Sequence, residues 1–88
     1  MAKQVKLTAA EKKWVKQVND LLAKCPSDRI AFATIGDCDV TLFDKSRYNE
    51  ICAMLDRGAW DFIPAAMHIG AAFDERLNFP NQVESTAG

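Results

Sequence analysis

The chain has 88 residues, 49% of them apolar and 26% charged, with a formal net charge of −1. That is enough for one small domain with one modest core, and too little for a core plus a separate substrate domain. No apolar run approaches the ~20 residues of a membrane span, the opening MAKQVKL holds no apolar signal core, and three widely spaced cysteines do not make a disulfide framework, so free thiols in a reducing cytoplasm are expected, with no membrane as partner.

Residues 1–8 read as a polar leader. Thr8-Ala9-Ala10-Glu11 fits a capping box, in which the Thr8 hydroxyl accepts from the Glu11 amide and the Glu11 carboxylate accepts from the Thr8 amide. Trp14, Val18, Leu21, Leu22 and Cys25 then recur at i, i+4, i+7, i+8 and i+11. That single apolar stripe predicts a helix from about Ala9 to Lys24, stopped by Pro26.

Arg29 to Asp44 predicts a β-hairpin, around which the rest is organised. On its first arm Ile30, Phe32 and Thr34 alternate with Ala31, Ala33 and Ile35. On its second, Val40 and Leu42 alternate with Thr41 and Phe43, after the polar connection Gly36-Asp37-Cys38-Asp39. Each arm can therefore offer one fuller face and one smaller face.

Asp44 is placed to cap a second helix, Lys45 to Arg57, whose stripe is Tyr48, Ile51, Cys52 and Leu55. Gly58 follows as the left-handed residue that ends it. Asp61 opens a third helix, Phe62 to Phe73, apolar nearly all round, with Pro64 at its third position, where no intrahelical donor is lost. From Asp74 the pattern fails, and 81–88 reads as a polar tail. The expected architecture is an α+β domain over 9–80, ordered α-β-β-α-α, with a small antiparallel hairpin sheet packed against helices. Its expected core is Trp14, Val18, Leu22, Phe32, Leu42, Ile51, Leu55 and Met67.

Charge divides the chain. Residues 1–24 hold six lysines against Glu11 and Asp20, a net +4, whereas 25–88 hold five basic groups against ten acidic ones, a net −5. The plain account of the first segment is a solvated lysine face.

Two strings resemble known proteins. Cys25 to Asp37, CPSDRIAFATIGD, and the ending FPNQVESTAG resemble small proteins encoded by tailed bacteriophages and prophages of enteric bacteria. The resemblance carries no catalytic residues; it implies an accessory factor made in the cytoplasm of a bacterial host cell. Asp37-Cys38-Asp39-Val40-Thr41-Leu42 resembles the first motif of the haloacid dehalogenase phosphatases, in which the first aspartate is the nucleophile and the second the general acid/base. That family needs a parallel α/β sheet and further downstream groups in a much longer chain, so a hairpin tip with two solvated carboxylates is the expected structure here.

Other constellations are weaker. Cys25, Cys38, Cys52 and His68 lack the close cysteine pair of a local zinc site, and Cys25 and Cys52 fall on apolar stripes where a thiol acts as a small hydrophobe. The four glycines are scattered and form no phosphate loop. No catalytic, cofactor-binding or metal residue is expected.

The function expected from these residues is that of a non-enzymatic accessory protein acting through protein–protein interaction. The partner would be a host or phage protein, or a second copy of the chain. Its contact surface is expected at Trp60, Met67, Ile69 and Phe73; in the competing reading Trp60 plugs the core. The alternative is nucleic-acid binding through Lys6, Lys12, Lys13 and Lys16. The basic helix has no arginine, its tryptophan lies on the apolar stripe and the body is acidic, so nucleic acid is not the expected partner. A metal protein or enzyme built on Asp37, Asp39, Cys38 or His68 has the least support.

Overall fold

A computed structural model describes residues 4–58 and 60–85. The first three residues of the expected leader, Ala59, and the last three of the expected tail lie outside them. The elements run α1 (Ala9–Leu22), β1 (Ile30–Ala33), β2 (Asp39–Asp44), a 3-10 turn (Lys45–Arg47), α2 (Tyr48–Leu55), α3 (Phe62–His68) and β3 (Ala72–Asn78). The fold is α+β: among the described residues there are three α-helices and one three-stranded antiparallel sheet of order β1-β2-β3.

Local chemistry starts the helices. At α1 the Thr8 amide donates to Glu11 Oε1 at 2.7 Å and the Glu11 amide donates to Thr8 Oγ1 at 3.2 Å, a complete capping box. Asp44 receives the Ser46 amide at 3.0 Å and the Ser46 hydroxyl at 2.6 Å, which launches the 3-10 turn that leads into α2. The predicted single helix from Lys45 is thus a 3-10 turn followed by a shorter α-helix.

α3 stops at His68, five residues before the predicted end at Phe73. Gly70 takes φ +74°, its amide donates to the Met67 carbonyl at 3.1 Å, and the Ala71 amide donates to the Ala66 carbonyl at 2.8 Å. This Schellman pair satisfies the last carbonyls and turns the chain outward. The residues that follow form a third strand not anticipated in the order α-β-β-α-α. β3 lies antiparallel to β2, with Val40 opposite Leu77, Thr41 opposite Arg76 and, beyond an irregularity, Phe43 opposite Ala72. Its charged run Asp74-Glu75-Arg76 is how an edge strand is blunted against stray pairing.

The β1–β2 register decides which sheet face is covered. Ala31 opposes Phe43 and Ala33 opposes Thr41, while Ile30 opposes Asp44 and Phe32 opposes Leu42. Ala31, Ala33, Thr41 and Phe43 therefore share one face, and α2 and α3 pack there. The buried cluster is Phe43, Ile51, Ala65, Ala66 and Ala71, flanked by Ala31, Ala33, Met54, Leu55, Trp60, Phe62, Ile69 and Ala72. Phe62 packs edge-on against Phe43, ring centroids 5.0 Å apart.

Of the eight expected core residues, Ile51 and Leu55 belong to this cluster. Trp14, Leu22, Phe32 and Met67 are half exposed or more, and Val18 and Leu42 are partly covered on other surfaces. The expectation placed the bulkier strand residues inward. The helices instead cover the alanine side, because Ala65 and Ala66 can approach a sheet face of small side chains closely. α1 buries no residue at all. The Cα radius of gyration, 16.2 Å, exceeds the ~12 Å of a compact chain of this length.

Candidate interaction surface

The sheet face opposite α2 and α3 carries the larger apolar side chains. Antiparallel pairing and the two-residue period put Ile30 and Phe32 of β1, Val40 and Leu42 of β2, and Phe73 and Leu77 of β3 on this side. Phe32 is 52% exposed. Among the described residues α2 and α3 pack on the other face, at Phe43 and the alanines, and not on this one.

The last turn of α1 reaches it. Leu21 and Leu22, with Cys25 and Ser27 beyond them, form one wall of a groove of about 360 Å³ whose floor is Ile30, Phe32, Leu42 and Leu77. Beside it, Ile30, Leu42, Phe73 and Glu75 line a second groove with Arg29, whose guanidinium sits 5.0 Å from the Phe73 ring centroid. That is cation–π range and holds Phe73 in place at the rim. Further up α1, Trp14 is 53% exposed, and Leu21 itself is 72% exposed. An apolar helix stripe and an apolar sheet face thus stand next to each other; on the sheet Phe32 is exposed, Ile30, Leu42, Phe73 and Leu77 are partly covered and Val40 is buried.

The residues first expected to form the contact surface are spread over the molecule. Trp60 packs at the edge of the covered core, stacked on His68 with ring centroids 4.6 Å apart. Ile69 also packs against that core. Met67 is exposed and lines a groove of about 200 Å³ with Phe73 and Arg76. Phe73 itself is on β3, with its ring on the open sheet face. The fold does not bring the four together as one helix side. The better surface was missed because its members come from three strands and become neighbours only through the register; the alternation Phe73, Glu75, Leu77 was the available signal.

The lysines lie along α1 and its lead-in. Lys6, Lys12, Lys13 and Lys16 are exposed, and Lys16 pairs with Asp20 at 2.8 Å. Asp37 is exposed in the β1–β2 connection, whereas Asp39 begins β2 and receives Arg76 of β3 at 3.0 Å. Cys25 and Cys38 are exposed and Cys52 is partly covered, all as free thiols. Among the described residues no three His, Cys, Asp or Glu side chains gather as a group that could hold a metal ion, and no helix is long and apolar enough to cross a membrane. Beyond β3 the chain returns to the hairpin tip: the Phe79 amide donates to the Cys38 carbonyl at 2.7 Å and the Val83 amide to the Asp37 carbonyl at 3.0 Å.

No protein-family model matches the chain, and no curated protein or solved structure shows significant similarity to it.

Proposed function

We propose that the chain is a non-enzymatic accessory protein that acts by binding protein, through the open face of the sheet and the apolar stripe of α1. The observation that carries this is the displaced apolar surface: Phe32 and Trp14 are each more than half exposed, while among the described residues the only large side chain that is fully buried is Ile51. Large contiguous apolar surface on a small domain marks a contact site. Aromatic side chains in such a patch are the usual anchors. The resemblance of Cys25 to Asp37 and of the final ten residues to phage and prophage proteins supports a bacterial-cell setting and a host or phage protein as partner.

The test is affinity capture from bacterial cells with the wild type and with Phe32→Asp. The expected result is a retained protein, lost in the variant while the fold, read by circular dichroism, persists. A capture profile unchanged by Phe32→Asp and by Trp14→Asp would overturn the reading. So would a submicromolar, salt-resistant nucleic-acid complex lost on neutralising Lys12, Lys13 and Lys16, which would favour the basic face of α1 instead.

A further inference from the structure

We infer that the occupant of the open sheet face is α1 of a second copy of this chain, exchanged reciprocally between two protomers. The inference rests on the proposed reading of that face as a contact surface, and it names the partner.

The first argument is fit. From Trp14 to Leu22 the stripe runs eight residues, ~12 Å at 1.5 Å per residue. Three strands spaced ~4.8 Å apart make a face of similar width. The helix offers Trp14, Val18, Leu21 and Leu22; the sheet offers Phe32, Leu42 and Leu77 at its centre. Neither surface carries a charge at its centre. The segments they belong to carry opposite net charge, +4 over 1–24 and −5 over 25–88. A helix of one copy approaching the body of another is therefore drawn in electrostatically, although each whole chain is close to neutral.

The second argument is reach. Leu21 and Leu22, at the end of α1, line the groove over its own sheet, while Trp14 toward the other end is 53% exposed. After Leu22 the chain stays in helical turns, with the Lys24 amide on the Leu21 carbonyl and the Cys25 amide on the Leu22 carbonyl, both near 3.0 Å. Pro26 then fixes the exit. This short connection directs α1 away from its sheet and leaves the Trp14 end uncovered. In a second copy the same end is free of that constraint.

The third argument is closure. Among the described residues each chain presents an apolar sheet face with Phe32 exposed and an apolar helix stripe with Trp14 and Leu21 exposed. A twofold pair sets the stripe of each copy on the face of the other, which is the self-complementary form of a C2 contact and of segment exchange. It also adds to a core in which, among the described residues, Ile51 is the only large side chain fully buried.

The experiment is sedimentation or light-scattering mass against concentration for the wild type, Trp14→Asp, Phe32→Asp and an equimolar mixture of the two variants. The wild type is expected at twice the chain mass, and each variant alone at the monomer mass or with dimerisation weakened about tenfold or more. The mixture is expected to regain dimer, because the intact helix of the Phe32→Asp chain meets the intact sheet of the Trp14→Asp chain. A helix–helix dimer would instead survive Phe32→Asp, and a sheet–sheet dimer would survive Trp14→Asp; either result overturns the inference. A wild type that stays monomeric into the submillimolar range also overturns it. In that case retained capture of another protein, lost in Phe32→Asp, keeps the proposed function standing alone. If Phe32→Asp fails to fold, Phe32→Ser gives the same comparison.

Discussion

The two faces of the sheet are built on opposite principles. The covered face is made of Ala31, Ala33, Thr41 and Phe43 and accepts Ala65, Ala66 and Ile51 at close range. The open face carries Ile30, Phe32, Val40, Leu42, Phe73 and Leu77, a set with more apolar bulk, in which Val40 is buried and Phe32 is half exposed. Small side chains let helix backbones approach a sheet and fill space without voids. Large ones left outside keep their burial free energy for whatever covers them later. Bulk alone therefore does not decide which side of a strand becomes core; the shape of the element that packs on it does.

The sharpest way to break that contrast is to truncate one large residue on each side. Ile51→Ala is expected to lower stability by ~2–5 kcal/mol, and Phe32→Ala by less than ~1 kcal/mol, since half of Phe32 is already in water. Urea denaturation at concentrations low enough to keep copies apart measures both. Equal losses would mean that the open face is covered within one chain.

Next in size is overfilling. Ala65 has no exposed surface, so Ala65→Leu is expected to cost ~1–3 kcal/mol by forcing α3 off the sheet. The same enlargement on the open side has no close neighbour to displace. A neutral Ala65→Leu in thermal melts would show that the alanine packing is loose.

Gly70→Ala should cost ~1 kcal/mol. The added Cβ meets nothing nearer than Arg47 Nη1 at 4.0 Å, so the loss comes from φ +74° alone. Its readout is the denaturation midpoint, and an unshifted midpoint would mean that the α3-to-β3 turn relaxes freely.

The smallest effect lies in α1, which is held by local chemistry. Thr8→Ala is expected to remove ~1 kcal/mol of helix-start stability. Because no α1 residue is fully buried in its own chain, helical ellipticity should fall more than the global midpoint of the isolated chain. The same cap gives a pH signature. The bond from the Thr8 backbone amide, and after it the Thr8 hydroxyl, hold the Glu11 carboxyl below its ordinary value of 4.5. A depressed folded pKa means that the contribution is present above the unfolded value and is lost as pH falls through the folded one. Helicity should therefore drop in acid below pH 4.5, and Glu11→Gln should flatten that drop.

What could be foreseen divides along the same line between local and distant causes. The Thr8–Glu11 box, the Asp44 cap and the paired arms around Gly36 were legible because each depends on residues a few positions apart. β3 was not legible: Asp74, Glu75 and Arg76 in succession hide the two-residue alternation of Phe73 and Leu77, and only the partner strand reveals its use. The placement of α1 was illegible for a different reason. An apolar stripe states that one side of a helix will be covered, without stating by which surface. Trp60 shows a further limit, since its stacking on His68 depends on a helix end that Gly70 fixes from the far side.

The order of the strands also sets an order in time. β1 and β2 are joined by a short connection, whereas Asp39 of β2 meets Arg76 of β3 across 37 residues. Closing the longer loop sacrifices more chain freedom before any contact repays it. The hairpin is thus expected in the rate-limiting barrier for folding, with β3 docking after it. Substitutions at Ala33 or Thr41 should slow refolding, whereas Leu77→Ala should chiefly hasten unfolding. Stopped-flow rates that placed Leu77 in the barrier would reverse that sequence. During synthesis the hairpin emerges well before β3, so its bare, bulky side is exposed to the cell from the first moments of the chain's existence.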